Sequence, residues 1–299
     1  TRPVSTAVAT PSAAVRWPSI VPAVTAALSF SVSDILLKVV YASGMDVLTL
    51  MTLRGLLVVA FFWLWLRIAP PSRWHTPRER VIALGLGVLF ATTMFGLLKA
   101  ISLLPVSIAI LAYFVYPLLT GIGAAITGVE RLGWRALLTA TAAFLGLALM
   151  LGQQIGDLSM PGLACAFGAA LCRVISLLAT RAMLSGTDAR VTTWYSMVPS
   201  TMLFVTGSVA LSDWHLSQTA WGWGAFMGVS LTSTLSTLLI YISTNTVGPF
   251  RTALMMNLEP LLTLILSMLL LGEILTSLQF VGAAMMIVSL CAFQFVRPR

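Results

Sequence analysis

The chain has 299 residues, 59% hydrophobic and only 9% charged, with a mean hydropathy of +0.98. A soluble globule is excluded, because so little polar surface cannot cover so much apolar side chain, and the chain reads as an integral membrane protein. The net charge of +8 comes with no basic run or stacking platform, so nucleic acid is not the partner it implies.

In chain order, residues 1–17 are rich in Thr, Ser, Pro, Ala and Val and read as a disordered cytoplasmic tail. Ten apolar runs follow, near 18–40, 47–68, 80–100, 105–127, 134–152, 160–183, 192–211, 220–243, 249–271 and 275–296. Each is about as long as a helix must be to cross a bilayer. The first run carries Asp34 and Lys38, so it reads as a retained span rather than a cleaved signal. The expected fold class is therefore all-α, with ten transmembrane helices joined by short connections.

Ten spans put both termini on one side. Thirteen of the 17 Lys and Arg residues then fall on that side, Arg67, Arg73, Arg78, Arg131, Arg181, Arg190 and Arg251 among them. The opposite loops carry Asp46, Asp157, Asp213 and Glu273. Basic loops stay in the cytoplasm, so the termini are assigned there. Trp17, Trp63, Trp65, Trp134 and Trp194 mark the inner boundary, and Tyr41, Trp214, Trp221 and Trp223 the outer one. Cys165, Cys172 and Cys291 lie inside apolar runs and imply no disulfide framework; His75 and His215 lie in separate loops with no companion ligands, so no metal or cofactor is expected.

The chain also repeats itself. Pro117-Leu-Leu-Thr120 recurs as Pro260-Leu-Leu-Thr263, and Glu130 as Glu273, both at an offset of 143; "SGMD" at 43–46 recurs as "SGTD" at 185–188. The repeating unit holds five spans, an odd number, so the second copy enters the membrane from the opposite face. Inverted repeats of this kind suit secondary transporters that bind their cargo between the halves.

These motifs, with "LRG" around Arg54, resemble the EamA domains of the drug/metabolite transporter superfamily over essentially the whole chain after the tail. The resemblance implies two inverted five-helix repeats, 18–152 and 153–299, around a central cavity lined by spans 1, 3, 4, 6, 8 and 9. Spans 5 and 10 would serve the scaffold or a dimer contact, leaving a monomer or weak homodimer. Within the superfamily the chain looks most like bacterial inner-membrane metabolite exporters, including the YddG-type amino-acid exporters. It lacks the Lys and Arg cluster by which sugar-phosphate carriers cradle phosphate.

Candidate substrate-binding residues follow from the polar and adaptable groups inside spans. Pro117 and Pro260 each remove a helical hydrogen bond, and the acceptors freed belong to Tyr113 and Met256, expected to face the cavity. Ionisable residues at membrane depth are costly and usually paired or functional. Depth pairs Asp34 with Arg54, with Lys38 one turn away, and Glu259 with Arg173. An acid and a base near mid-membrane would suit the two charges of an amino acid. Phe90 and Met94 on span 3, Tyr113 and Tyr116 on span 4, and Tyr241 at the end of span 8 would give an apolar, adaptable lining. Ordinary packing and structural ion pairing are the plain alternatives for each.

No nucleophile–base constellation, phosphate loop or ATP-binding domain is present, so no enzyme is expected. The expected function is export of small metabolites, amino acids foremost, by alternating access across the bacterial cytoplasmic membrane. Two alternatives stand beside it: a proton-coupled exporter of cationic or lipophilic drugs using Glu259, and a membrane enzyme acting on lipid.

Overall fold

The computed structural model describes residues 17–130, 132–151, 159–211, 214–271 and 276–294, and these are helical and loop segments with no strand among them. Residues 1–16 of the expected tail, Arg131, Asp157, Asp213 and Glu273 lie outside the described residues, while Trp17 opens the first helix. The helices are α1 (Trp17–Ala42), α2 (Val47–Ile68), α3 (Pro77–Leu103), α4 (Val106–Tyr113), α5 (Tyr116–Ile126), α6 (Trp134–Leu151), α7 (Met160–Met183), α8 (Ala189–Leu211), α9 (Ala220–Thr246), α10 (Pro249–Met255), α11 (Leu258–Leu271) and α12 (Ser277–Gln294).

Eight segments are long and apolar enough to cross a membrane, with α4 and α5 forming one and α10 and α11 another. The serine- and threonine-rich α8 and the shorter α12 fall outside that count, although both stand where spans were expected. The polarity is that of a body solvated by lipid. Large apolar side chains such as Phe61, Phe95, Ile126, Leu231 and Leu269 face outward, while Thr49, Thr52, Ser196, Ser236 and Thr252 are buried. Small residues inside let helices approach where no hydrophobic force acts between them. At the α6–α12 crossing, a Cβ built on Gly282 would stand 2.5 Å from the Gly146 carbonyl oxygen.

The sequence repeat has a local meaning. Gly44 and Gly186 both adopt positive φ, +89° and +77°, which an L side chain resists. Each turn then delivers an aspartate to a helix start. Asp46 accepts from the Leu48 N–H and Asp188 from the Arg190 N–H, both at 2.8 Å, satisfying donors that have no partner in the first turn.

Packing follows the same pairing. α1 lies along α9 and α3 along α7, while α2 packs on α8 and α6 on α12. With α7 counted as the repeat of α1 and α9 as that of α3, the first two contacts are copies of each other, and the last two join a helix to its own copy.

One expectation is corrected. Spans 105–127 and 249–271 were read as single helices kinked at Pro117 and Pro260, but each is two helices, interrupted at 114–115 and at 256–257. The interruption comes before the proline, which then sits in the first turn of the new helix, where its missing N–H and fixed φ cost nothing.

Candidate functional site

The two interrupted spans, α4/α5 and α10/α11, bring their breaks against α1, α7 and each other. Beside them lies a cavity of about 30 Å³ between α3, α7 and α9. Phe90, Met94, Arg173 and Tyr241, all expected in the lining, do line it, together with Thr93 and Thr237. That volume holds little more than a water. Behind it α3 packs closely on α8, where a Cβ on Gly87 would stand 1.9 Å from the Ser196 carbonyl oxygen.

Arg173 is the cation of this cavity. Its guanidinium carbon sits 5.9 Å from the centre of the Tyr116 ring, within cation–π range. Tyr116 in turn packs against Tyr113, ring centres 5.3 Å apart. The Arg173 Nε is buried and meets no acceptor among the described residues. Glu259 carries Arg173 and Asp34 as its charged neighbours, yet no cation reaches ion-pair distance of it among the described residues. The expected Arg173–Glu259 pair is thus a proximity of charges around an aromatic patch, with donors left over.

The expected Asp34–Arg54 pair does not form. Asp34 Oδ2 accepts from Thr263 Oγ1 of α11 at 2.9 Å, and Lys38 Nζ donates to Ser267 Oγ at 3.1 Å. Arg54, on α2, has the Tyr41 phenol as its electrostatic partner instead. Depth alone placed Asp34 and Arg54 level, but the polar face of α1 turns toward α11.

Met256 also differs from expectation. Its side chain is buried in the main core and its carbonyl accepts the Glu259 N–H at 3.0 Å. The acceptor released by Pro260 is therefore taken by a tighter turn. Sequence reasoning missed Asn257, which occupies the break itself. It is 2% exposed, and its Oδ1 has no donor among the described residues. A lone amide two residues before Glu259 in an apolar run was the available signal.

At the opposite end of α10, Glu130 Oε2 accepts from the Phe250 N–H at 3.2 Å, and Arg251 Nε stands 3.7 Å from Oε1. Burial pushes the Glu130 carboxyl above the ordinary glutamate value, against the opposing pull of the Phe250 N–H and of Arg251 and Arg181.

Broken helices, a buried Asn257 oxygen at one break with no donor among the described residues and an apolar outer surface fit a multi-pass membrane protein of the transporter class. The chain belongs to the EamA-like transporter family, whose model matches residues 17–152 and 160–293. It is accordingly a membrane transporter of small substrates. No curated protein matches its sequence. A crystal structure described only as that of a protein matches with a TM-score of 0.77 at 18% identity, over 93% of this chain and 96% of that one, a likeness of fold alone.

Proposed function

We propose that this chain is a secondary transporter with ten membrane-crossing segments in two inverted halves, 18–152 and 153–299, that exports small zwitterionic metabolites by alternating access. Amino acids, aromatic and other apolar ones included, are its foremost cargo. The copied helix contacts support the two-fold arrangement, and five segments per half make it an inverted one. The basic side, with Arg67, Arg73 and Arg251, faces the cytoplasm of a bacterial cell across its cytoplasmic membrane, and both termini lie there. Energy comes from substrate or ion gradients.

The observation that carries this reading is Arg173. A buried guanidinium keeps an unused donor in the central cavity, beside Tyr116, with Glu259 as a charged neighbour. A carboxylate would take the arginine, an ammonium the Glu259 side and the Asn257 oxygen, and a side chain the Phe90, Met94 and Tyr241 surface. Counterflow into liposomes holding the purified protein tests this. Labelled phenylalanine enters when unlabelled amino acid is inside, and is unaffected by internal sugar phosphate. Exchange of sugar phosphates, or of no amino acid in a broad panel, would refute it.

A second reading, proton-coupled export of cationic or lipophilic compounds, is favoured by the two carboxylates Asp34 and Glu259 lying near each other with no ion-pair partner among the described residues.

A further inference from the structure

The contact between α1 and α11 is polar along one line. Lys38 donates to Ser267 and, one turn deeper, Asp34 accepts from Thr263. Both rungs join residues 229 apart, so the two helices run in parallel and in register. The next rung inward, about 6 Å further along the axis, is Phe30 opposite Glu259. Lys38 is exposed at one end of the line and Ser267 is 4% exposed inside it.

Packing does not require this line. The sequence repeat sets α7 and α5 in the positions of α1 and α11. At the offset of 143 that copies Pro117–Thr120, Ala124 stands for Ser267 and Tyr116 for Glu259, while Thr120 still matches Thr263; the turn after α1 recurs at 142, so the place of Asp34 is taken by Ser176 or Leu177. The copied contact therefore holds together without an acid where the first has Asp34.

The surrounding charges are accounted for. Asp34 is the like-charged neighbour of Glu259 and Arg173 its opposite. Lys38 is on the same helix as Asp34, Tyr41 and Arg54 lie near the exposed end, Tyr113 and Tyr116 face Arg173 from α4 and α5, and Tyr241 faces it from α9. No cation stands at ion-pair distance of either carboxylate among the described residues. Two neighbouring carboxylates in a poorly solvated interior do not both stay ionised cheaply, and the simplest neutraliser is one proton held between them.

We propose that Asp34 and Glu259 share one exchangeable proton, delivered from the outer face along the α1–α11 line, and that its inward movement drives export. Hydroxyls both donate and accept, so the Ser267 and Thr263 side chains can pass a proton to the Asp34 carboxylate, which passes it to Glu259. The proton leaves to the cytoplasm when the inner side opens, and the cargo leaves outward in exchange. This rests on the carrier reading above and names its coupling.

The test uses the full chain in liposomes and separates exchange from net transport. Wild type runs phenylalanine counterflow without a pH gradient, and accumulates phenylalanine when a pH gradient of the matching sense is imposed. Asp34→Asn loses at least tenfold of the pH-driven accumulation relative to its own counterflow rate. Thr263→Val, which keeps the side-chain shape, slows that accumulation while leaving counterflow intact. A trapped pH dye reports proton movement on addition of phenylalanine to wild type and none in Asp34→Asn. Wild-type counterflow with no response to pH, or accumulation driven by sodium at equal pH, overturns the coupling and leaves the carrier reading standing. PH-driven accumulation by both variants at the wild-type level also overturns it. Absence of counterflow in wild type overturns the carrier reading, and the coupling with it.

Discussion

Glu130 is where the first half of the chain grips the second, and removing its side chain has a calculable cost. The Phe250 N–H at the start of α10 belongs to the first turn of that helix, which has no internal acceptors for its N–H groups. Phe250 is fully buried, so in Glu130→Ala its N–H loses its acceptor where water cannot readily replace it, at about 1–3 kcal/mol. The Arg251 contact is 3.7 Å long with side chains 17% and 15% exposed, and adds less than about 1 kcal/mol. Glu130→Ala should therefore be destabilised by about 2–3 kcal/mol. Glu130→Gln keeps an oxygen for the Phe250 N–H and gives up a charge that burial already disfavours, so it should stay within about 1 kcal/mol of wild type. The pH dependence has a definite sign. Because burial raises the folded carboxyl above the unfolded one, the fold gains from protonated Glu130, and stability falls as pH rises from the ordinary glutamate value through the raised one. That slope vanishes in Glu130→Gln. Unfolding of the detergent-solubilised protein, followed by tryptophan fluorescence at several pH values, measures both effects. If Glu130→Gln proved as damaging as Glu130→Ala, charge and not the acceptor would be what matters, and the reasoning would be wrong.

Other substitutions follow from the same geometry. Arg173→Met removes a charge-assisted contact worth about 1.5–3 kcal/mol, so half-saturation of counterflow by amino acids should rise about 10- to 150-fold, while any competition by the decarboxylated amine stays unchanged. Equal losses for both compounds would show that Arg173 holds structure and not the carboxylate. Gly87→Ala drives a methyl into the Ser196 carbonyl and should cost about 1–3 kcal/mol of stability or more, whereas Gly85→Ala, whose Cβ meets nothing within 4 Å, should be neutral or slightly stabilising in the same melting assay. His75 is buried and stands 3.0 Å from the Thr192 hydroxyl, and burial lowers its imidazole below the usual histidine value, ahead of the raising effect of Glu79. Its contribution to stability should be lost as pH falls below about 6.5, and His75→Gln should flatten that part of the profile.

How much of this was legible in the sequence depends on what sort of force each feature answers to. Length and hydropathy answer to the bilayer, so the apolar runs were legible as helical segments to within a few residues, eight of them long and apolar enough to cross, and "SGMD" and "SGTD" were legible as a repeat whose turns and aspartate caps the structure supplies. The helix interruptions were misplaced because a proline in a sequence marks a missing donor without saying which helix it belongs to. In the first turn of α5 it leaves α4 to end on its own terms. Ion pairs were less legible still. Asp34 and Arg54 are level in depth, but rotation about the helix axis decides partners, and the rotation of α1 is set by its packing on α9 and α11, which no single helix encodes.

The same packing explains why the buried acid occurs once. Glu259 is the repeat counterpart of Tyr116 at an offset of 143, and Arg173 lies 143 residues after Phe30, one beyond the offset of 142 at which the turn after α1 recurs. In the α5–α7 contact an arginine lies over a tyrosine ring, and the register of α1 on α11 sets phenylalanine opposite glutamate. Each contact thus holds one aromatic and one charge, with the charge on α7 in one and on α11 in the other. Two acids would repel across the cavity, and two arginines would do the same. One of each, borne on opposite halves, leaves a dipole across the gap where the broken helices meet. A duplicated scaffold that kept its symmetry at this level would carry like charges on both halves, and it is the loss of symmetry at these two rungs that sets a cation on α7 and an acid on α11.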